Sequence, residues 1–263
     1  MNETINIIQA RRSIRSYDKK LISEENKNLI INSAMRSPTA GNMMLYSIIE
    51  VEDKKIKEKL VKSCDNQSFI AKAPFVLLFL ADYQRWMDYF NVCDIEAYQK
   101  SEKLPKRTPK EGDLLLACCD ALIAAQTAVI AAESMGIGSC YIGDIMENYE
   151  FHKDLFNLPK YTFPVTMICF GYPKENYHSK ELTPRFRQQY IHFKNQYKRL
   201  NKADFDEMYK DRDLKHYYAN ATNFGQHMYS KKFTAYFTLE MTRSVRKVIK
   251  VWSVLADNLT SLQ

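Results

Sequence analysis

The sequence predicts an α/β or α+β fold in which helices surround a small sheet. Three apolar stretches, residues 46–51, 75–81 and 163–171, have the length and the β-branched and aromatic content of buried strands. The stretches between them show helical periodicity or uninterrupted apolar character. The chain has 263 residues, of which 46% are hydrophobic, so it can bury one elaborated core.

Two helices are predicted around the first strand. Ser23 can cap a helix that runs to about Arg36, before Pro38 interrupts the pattern. A charged amphipathic helix from Asp53 to about Cys64 separates the first two strands. Farther along the chain, residues 103–112 combine two prolines with several charges, so we expect a loop or a lid there.

The longest apolar stretch, residues 114–132, is long enough to cross a bilayer. Asp120 and Gln126 lie inside it, and a carboxylate in the middle of a membrane span is costly. We therefore expect a core or interface helix with Asp113 as its N-cap and Gly136 as its stop, and no membrane partner. A membrane span is the alternative.

Three of the seven glycines, Gly136, Gly138 and Gly143, follow this helix within eight positions. The dinucleotide-binding fingerprint needs its glycines directly after a strand and at the start of a helix. Here the third glycine is displaced and all three follow a helix. The stretch therefore predicts a helix stop that leads into a strand or a loop.

The basic charge is concentrated in the C-terminal third. Residues 174–250 carry 17 Lys and Arg against 8 Asp and Glu, while the whole chain has a formal net charge of +7. No helix-turn-helix, zinc-finger or RNP motif accompanies these charges, so we expect no nucleic-acid partner. The six cysteines lack C-x-x-C spacing, which argues against an iron–sulfur module, and no metal is expected. With no signal-peptide pattern, a cytoplasmic protein is expected.

Near the N-terminus, a cluster of side chains could clamp a phosphate. Arg11, Arg12, Ser13 and Arg15 lie within five residues. Guanidinium forks match phosphate oxygens with two parallel hydrogen bonds. The alternative is a basic surface turn, since exposed arginines are common. The segment RSPTAGNMM, residues 36–44, reads on its own only as a loop between a helix and a strand.

Four motifs in order resemble the nitroreductase family of FMN-dependent oxidoreductases. They are RRSIRSY from residue 11, SPTAGNMMLYSIIEV from residue 37, MGIGSCYIGD from residue 135 and FGYP from residue 170. The resemblance covers residues 5 to about 195. It implies an α+β fold with a mixed sheet surrounded by helices, an intertwined homodimer, and FMN bound at two sites between the subunits.

The resemblance also implies a division of the chain. Residues 1–199 would form the FMN-binding domain, and residues 200–263 a helical C-terminal extension packed on the core or on the dimer partner. Within the extension, one helical face carries Phe237, Met241, Val245, Val248 and Trp252. We expect this stripe to lie in the core or the dimer interface, with a substrate lid or a separate binding module as alternatives.

The resemblance assigns cofactor-binding roles to residues from both subunits. The residues at the FMN phosphate, ribityl chain and pyrimidine edge would be Arg11, Arg12, Ser13 and Arg15. The partner subunit would contribute Pro38, Thr39, Ala40 and Asn42. Gln67 occupies the place of a family amide that bonds the isoalloxazine edge.

Two further groups follow from the same resemblance. Tyr141, Ile142 and Gly143 would lie against the ring, with a backbone N–H near Gly143 directed at flavin N5. Arg185, or alternatively Arg187, matches a late basic residue at the phosphate site. The family often continues the loop after its Asn with Gln-Pro-Trp, whereas this chain has Met44, Leu45 and Tyr46, so polar contact there is not expected.

The implied activity is hydride transfer from NADH or NADPH to flavin N5, followed by reduction of a nitroaromatic, quinone or similar small-molecule acceptor in the same pocket. The protein would supply positioning and electrostatics, so no catalytic side chain is expected. Arg15 would place positive charge near the N1–C2=O edge of the ring. The alternatives are a relative with a dedicated redox substrate, by reductive dehalogenation or flavin breakdown, or a flavin-binding protein without turnover.

Overall fold

A computed structural model of the chain describes residues 2–174, 181–212 and 218–253. The chain divides into two compact units, one of residues 1–178 with 240–263 and the other of residues 179–239. The division at residue 199 that the family resemblance implies stays a prediction.

The first unit is built on a four-stranded sheet with the order β1-β2-β4-β3. The strands are β1 (Tyr46–Glu50), β2 (Phe75–Asp82), β3 (Gly138–Ile142) and β4 (Thr162–Gly171), and every neighbouring pair is antiparallel. A parallel bridge joins Ser13 to Ser139 beside β3. Every residue of β2 and β4 is buried, as the apolar runs predict. The predicted α+β class is confirmed.

Strand β3 lies in the stretch after Gly136 for which the sequence predicts a strand or a loop, and the structure shows a strand. The local sequence, Gly-Ser-Cys-Tyr-Ile, does not by itself decide between the two. Its position follows from pairing with β4, where Cys140 lies opposite Cys169.

Four short helices precede β2: α1 (Glu3–Ala10), α2 (Glu24–Met35), α3 (Lys54–Ser63) and α4 (Phe69–Lys72). Of these, α2 and α3 are predicted from the sequence, and both begin where expected. The Ser23 hydroxyl accepts the N–H of Asn26 at 3.2 Å at the start of α2. The Asp53 carboxylate accepts the N–H of Ile56 at 3.0 Å at the start of α3. The predicted cap at Ser23 is confirmed, and the predicted helix start at Asp53 is the N-cap of α3.

The helix at the centre of the first unit is α7, Glu111–Ser134. Its buried positions are mostly small, among them Ala117, Ala121, Ala124 and Ala128, and they pack on the sheet and on α2. Small residues let the helix axis approach the sheet closely. Gly136 has φ +70°, and the N–H of Ile137 reaches the carbonyl of Ala132 at 2.9 Å, so the predicted stop is confirmed.

The predicted N-cap of α7 is wrong. The helix begins after Lys110, and Asp113 is its third residue. The Asp113 carboxylate accepts the N–H of Lys110 at 2.8 Å and two bonds from the Arg107 guanidinium at 2.8 and 2.7 Å. Asp113 therefore closes a capping box from within the first turn. The predicted loop before α7 is shorter than expected, because Glu111 and Gly112 are helical.

The outer face of α7 is apolar. Leu115, Leu116, Leu122 and Ile123 are exposed in the single chain. In the described part of the chain, α7 is the one helix long and apolar enough to cross a bilayer, and 44% of its apolar window is buried inside the protein. The buried share and the anchoring role of Asp120, described below, favour the core or interface helix.

The remaining helices of the first unit are α5 (Gln84–Val92), α6 (Ile95–Glu102), α8 (Tyr149–Leu155) and most of α11 (Tyr236–Ser253). Val248 and Trp252, two residues of the predicted stripe, are fully buried in the same core as α7. Glu240 and Ser244 complete the buried face of α11. The Glu240 carboxylate accepts the N–H of Asn148 at 3.0 Å and thereby joins α11 to the turn before α8.

The second unit contains α9 (Lys202–Tyr209) and α10 (Phe224–Met228). Its aromatic rings form a chain: Phe186 lies 5.3 Å from Tyr209, which lies 5.7 Å from Phe224. The Arg212 guanidinium lies 5.2 Å from the centre of the Phe186 ring. These groups surround a cavity of about 860 Å³ within this unit.

Candidate functional site

The arginine cluster belongs to a segment that lies along the free edge of β3. The N–H of Ile14 donates to the carbonyl of Ser139 at 2.8 Å, next to the Ser13–Ser139 bridge. The N–H of Asp18 donates to the carbonyl of Tyr172 at 2.8 Å, beyond the end of β4. Residues 13–18 are therefore held at both ends by main-chain bonds.

Two glycines make room for this segment. A Cβ atom on Gly138 would lie 2.2 Å from Cγ1 of Ile14, far inside van der Waals contact. A Cβ atom on Gly171 would lie 2.4 Å from Cδ1 of Tyr17. Gly138 thus serves neither a phosphate loop nor a turn, because it admits the arginine segment against β3.

The segment brings positive charge to β3. Arg11 lines a small cavity of about 70 Å³ with Gln126 and Glu133 of α7. Burial raises the pKa of Glu133, and the Ser139 hydroxyl, which donates to it at 3.0 Å, and the charges of Arg11 and Arg12 oppose that rise. The guanidinium groups of the cluster are donors suited to an anion, and the partly buried Glu133 carboxylate beside them is an acceptor.

Gly143 is exposed at the C-terminal end of β3, where the chain leaves the sheet. A Cβ atom on Gly143 would meet no atom of the described residues within 4 Å. Its φ is −78°, so its backbone conformation does not itself require glycine. The neighbouring Tyr141 hydroxyl donates to Oε1 of Gln126 at 3.0 Å, and burial raises the pKa of Tyr141 to about 12 against the opposing charge of Arg11. Ile142 is buried.

Gln67 lies in the turn between α3 and α4, and its side chain reaches the turn after β3. Its Nε2 donates to Oδ2 of Asp144 at 2.7 Å. Arg15 lies over the ring of Phe69, with its Cζ 5.9 Å from the ring centre. The structure therefore gathers most of the predicted cofactor residues around one strand: Arg11, Arg12, Ser13, Arg15, Gln67, Tyr141, Ile142 and Gly143.

Acidic groups lie beyond Asp144. Glu147 is only 4% exposed, and burial together with the charges of Asp144, Asp65 and Glu240 raises its pKa to about 7. His152, fully buried, accepts or donates a bond at 2.8 Å with the hydroxyl of Ser63, and burial lowers its pKa. In the described residues no group of three or more His, Cys, Asp or Glu could hold a metal ion.

The loop with Pro38, Thr39, Ala40 and Asn42 is anchored on α7. The Asp120 carboxylate, 2% exposed, accepts the N–H of Ala40 at 3.0 Å and the N–H of Leu45 at 3.1 Å. The Thr39 hydroxyl accepts the N–H of Met44 at 3.2 Å. Gly41 and Asn42 both have φ +55°, and Pro38 and Asn42 are exposed.

Side chains of α5 hold the other end of this loop. The Arg85 guanidinium donates to the carbonyls of Met44 and of Tyr46, the latter at 2.9 Å, and the Trp86 indole donates to the carbonyl of Met43 at 2.8 Å. Asp120 precedes Glu133 by thirteen residues of continuous helix, a rise of about 20 Å. Within one chain, the loop is anchored at Asp120 and the arginine segment lies beside Glu133, so the two are at different positions along α7.

Sequence reasoning missed Asp120 and Asp144 as parts of the site. A carboxylate inside an apolar helix was a signal for Asp120, because buried charges need hydrogen-bond partners. Asp144 carries no such signal, since its partner Gln67 is 77 residues away.

Arg185 and Arg187 lie in the second unit. Nη1 of Arg185 donates to the carbonyl of Thr183 at 3.0 Å, and the side chain lines the cavity of that unit. Nη1 of Arg187 pairs with Oε1 of Glu207 at 2.9 Å. Arg187 therefore forms an ion pair, whereas the bond of Arg185 is to a backbone carbonyl.

Comparison with known proteins identifies the family. Residues 8–172 match the Nitroreductase family. An FMN reductase (NADPH) of Bacillus subtilis is 31% identical over 85% of this chain and 86% of its own. An oxygen-insensitive NADPH nitroreductase of Salmonella typhimurium is 30% identical over 79% of this chain and 81% of its own.

A solved structure is similar over almost the whole chain. The NADPH:FMN oxidoreductase of Vibrio harveyi complexed with NAD+ superposes with a TM-score of 0.76 and 25% identity, covering 94% of this chain and 98% of its own. The motifs, the fold and these relatives agree. The chain therefore belongs to the nitroreductase family of FMN-dependent oxidoreductases.

Proposed function

We propose that this protein uses FMN, bound along β3, to carry electrons from NAD(P)H to small organic acceptors. The observation that carries the proposal is that the arginine segment packs against β3. At the other end of this strand, the space beside Gly143 is not filled by the described residues. The phosphate of FMN would bind at the arginine segment, and its flat ring would occupy the space beside Gly143.

The residues around β3 fit FMN in chemistry. Guanidinium groups and a hydroxyl at Arg11, Arg12 and Ser13 suit the phosphate and the ribityl chain. Arg15, Gln67, Tyr141, Ile142 and Gly143 would face the ring. Arg185 is the better candidate for a late phosphate contact, because Arg187 is paired with Glu207.

A second copy of the chain would complete the site. The loop with Pro38, Thr39, Ala40 and Asn42 is fastened at Asp120, about 20 Å along α7 from Glu133. The exposed apolar face of α7, with Leu115, Leu116, Leu122 and Ile123, is a surface that a partner subunit would cover. We therefore propose a homodimer in which each loop serves the site of its partner.

The chain's own groups would bind, orient and polarise the reactants. When bound, FMN supplies a ring that takes hydride from the nicotinamide and then gives electrons to the acceptor, which makes the kinetics ping-pong. Arg15 would hold positive charge at the pyrimidine edge, and a backbone N–H near Gly143 would donate to N5. No side chain needs to act as an acid or a base.

The acceptor follows from the relatives. Two of the similar proteins are an FMN reductase and a nitroreductase, and both names include NADPH. We therefore propose NADPH as the donor and free flavins, nitroaromatics and quinones as the acceptors. A dedicated redox substrate is the second candidate. The proposed location is the cytoplasm, where such donors are available.

The first experiment is the absorption spectrum of the purified protein. We expect a yellow protein with about one FMN per chain, which NADPH bleaches under anaerobic conditions and which a nitroaromatic or a quinone reoxidises. A colourless protein that does not bind added FMN would overturn the proposal. A flavoprotein that neither NADPH nor NADH reduces would instead indicate binding without turnover.

Arg11→Ala tests the phosphate contact. FMN carries a phosphate and riboflavin does not, so the substitution should weaken FMN about tenfold or more and leave riboflavin unchanged, because a charge-assisted bond contributes about 1.5–3 kcal/mol. Arg187→Ala is the matched control, since its guanidinium is already paired. Fluorescence titration of the apoprotein with both flavins measures the difference.

A further inference from the structure

Asp144 fixes the orientation of the Gln67 amide. A carboxylate accepts hydrogen bonds and donates none, so the amide group that faces Oδ2 of Asp144 at 2.7 Å must be the NH2 group. The carbonyl oxygen Oε1 of Gln67 is consequently turned away from Asp144. It is available as a hydrogen-bond acceptor toward a ligand.

The main chain of Gln67 is also fixed. Its N–H donates to the carbonyl of Cys64 at 3.3 Å, and its carbonyl accepts the N–H of Ile70 at 3.0 Å. The side chain is half-buried. With the backbone and the amide nitrogen both held, a ligand that bonds Oε1 loses little affinity to ordering the side chain.

The surroundings of Gln67 suit the edge of a flavin ring. Phe69, two residues later, carries the Arg15 guanidinium over its ring, and Asp144 directly follows the open Gly143. Arg15 also acts on Cys140 of β3, where its charge opposes the rise that burial gives to the pKa of the thiol. The Gln67 amide is therefore bonded to the residue after the exposed strand end, and the Arg15 guanidinium lies over a ring two residues along the chain from it.

Resting on the proposed function, we propose that Asp144 is a positioning residue for the cofactor: it holds Gln67 so that Oε1 accepts the imide N–H at the pyrimidine edge of the flavin ring. The family resemblance gives a role to Gln67 and none to Asp144. Since the contact is to the ring, its loss affects FMN and riboflavin equally.

The test is a set of flavin titrations on the full-length apoprotein. Asp144→Ala and Gln67→Ala should each weaken both FMN and riboflavin about tenfold, and the double variant should be no weaker than Gln67→Ala alone. Asp144→Asn keeps an oxygen that accepts from Nε2, so it should bind both flavins within about twofold of the wild type. Asp65→Asn removes a nearby exposed carboxylate and is the matched control.

A charge exchange tests the pair independently of Asp144→Ala. Gln67→Glu places two carboxylates face to face and should lose flavin binding, whereas Gln67→Glu with Asp144→Asn restores a donor–acceptor pair and should recover most of it. This arm holds even where Asp144→Ala does not fold.

Three results would overturn the proposal. They are Asp144→Ala with wild-type affinity for both flavins, additive losses in the double variant, or a loss confined to FMN. If Asp144→Ala binds both flavins with wild-type affinity while Arg11→Ala loses affinity for FMN only, this proposal is wrong and the proposed function stands. A wild-type protein that binds neither flavin would remove both.

Discussion

Gly138 and Gly143 lie at the two ends of the same short strand, and the space beside them is used differently. Beside Gly138, the place of a side chain is filled by Ile14, with Cγ1 2.2 Å from where a Cβ atom would lie. Beside Gly143, that place is open to 4 Å in the chain itself. One glycine admits a segment of the protein, and the other leaves room that the protein does not fill.

The difference separates a structural role from a binding role. Gly138 allows the arginine segment to reach β3, so its effect on a ligand is indirect and passes through the fold. A side chain at Gly143 would meet none of the described residues within 4 Å, so their packing does not require glycine there. Substitutions at Gly138 and Gly143 test this comparison directly, and substitutions at neighbouring positions sharpen it.

The largest effect is expected from Gly138→Ala. The new methyl group would overlap Cγ1 and Cβ of Ile14, so the arginine segment must move, at a cost of about 2 kcal/mol. Thermal unfolding should show a Tm lower by roughly 6 °C, and FMN affinity should fall with it.

Gly143→Ala is the matched control on the same strand. Its methyl group meets no described atom within 4 Å, so the free energy of unfolding should stay within about 0.5 kcal/mol of the wild-type value. Equal losses in the two variants would mean that glycine is needed at both ends for the same backbone reason.

Gly136→Ala should have an intermediate effect. Gly136 has φ +70° and open space around its Cβ position, so the cost is that of a left-handed alanine, about 1 kcal/mol. FMN affinity should not change, because the helix stop lies at the other end of the strand from Gly143. Reduced FMN affinity with an unchanged Tm would contradict this assignment.

Local signals predicted the elements well. Ser23, Asp53 and Gly136 act on backbone groups within four residues, and each was placed correctly. Asp113 was misplaced because Lys110 and Arg107 both bond its carboxylate, so it acts from inside the first turn. For strand β3 the sequence left a strand and a loop open, because the choice depends on pairing with β4.

The sequence names candidate site residues but does not predict how they are arranged. The resemblance named the arginine segment, Gln67 and Gly143. The contacts that position them join residues far apart in the chain: Ile14 with Gly138, Gln67 with Asp144, and Ala40 with Asp120. No local pattern encodes such pairs, since each depends on how the sheet and α7 pack.

A smaller effect is expected at the acidic turn after Gly143. The folded-state pKa of Glu147, about 7, lies above its ordinary value of 4.5, so the folded protein holds a proton that the unfolded chain releases between these values. Stability should therefore fall as pH rises from about 4.5 to 7. The carboxyl faces Asp144, Asp65 and Glu240, the last of which is paired with Arg243.

Glu147→Gln should remove that part of the pH dependence. The Tm difference between pH 5 and pH 8 should shrink by on the order of 3 °C, because the amide is neutral throughout. The exposed Glu58→Gln should leave the profile as it is. An unchanged profile in Glu147→Gln would show that the carboxyl is already ionised at pH 5.

The most direct test of the account is FMN titration of Gly143→Val beside a melt of its apoprotein. A valine at an exposed position with open space should leave the apoprotein Tm within about 2 °C of the wild type. If the flavin ring lies against this end of β3, the same substitution should weaken both FMN and riboflavin at least about tenfold, since the side chain occupies the place of the ring. Wild-type affinity for both flavins in a normally folded Gly143→Val protein would contradict the account, because the open space beside Gly143 would then not be the flavin site.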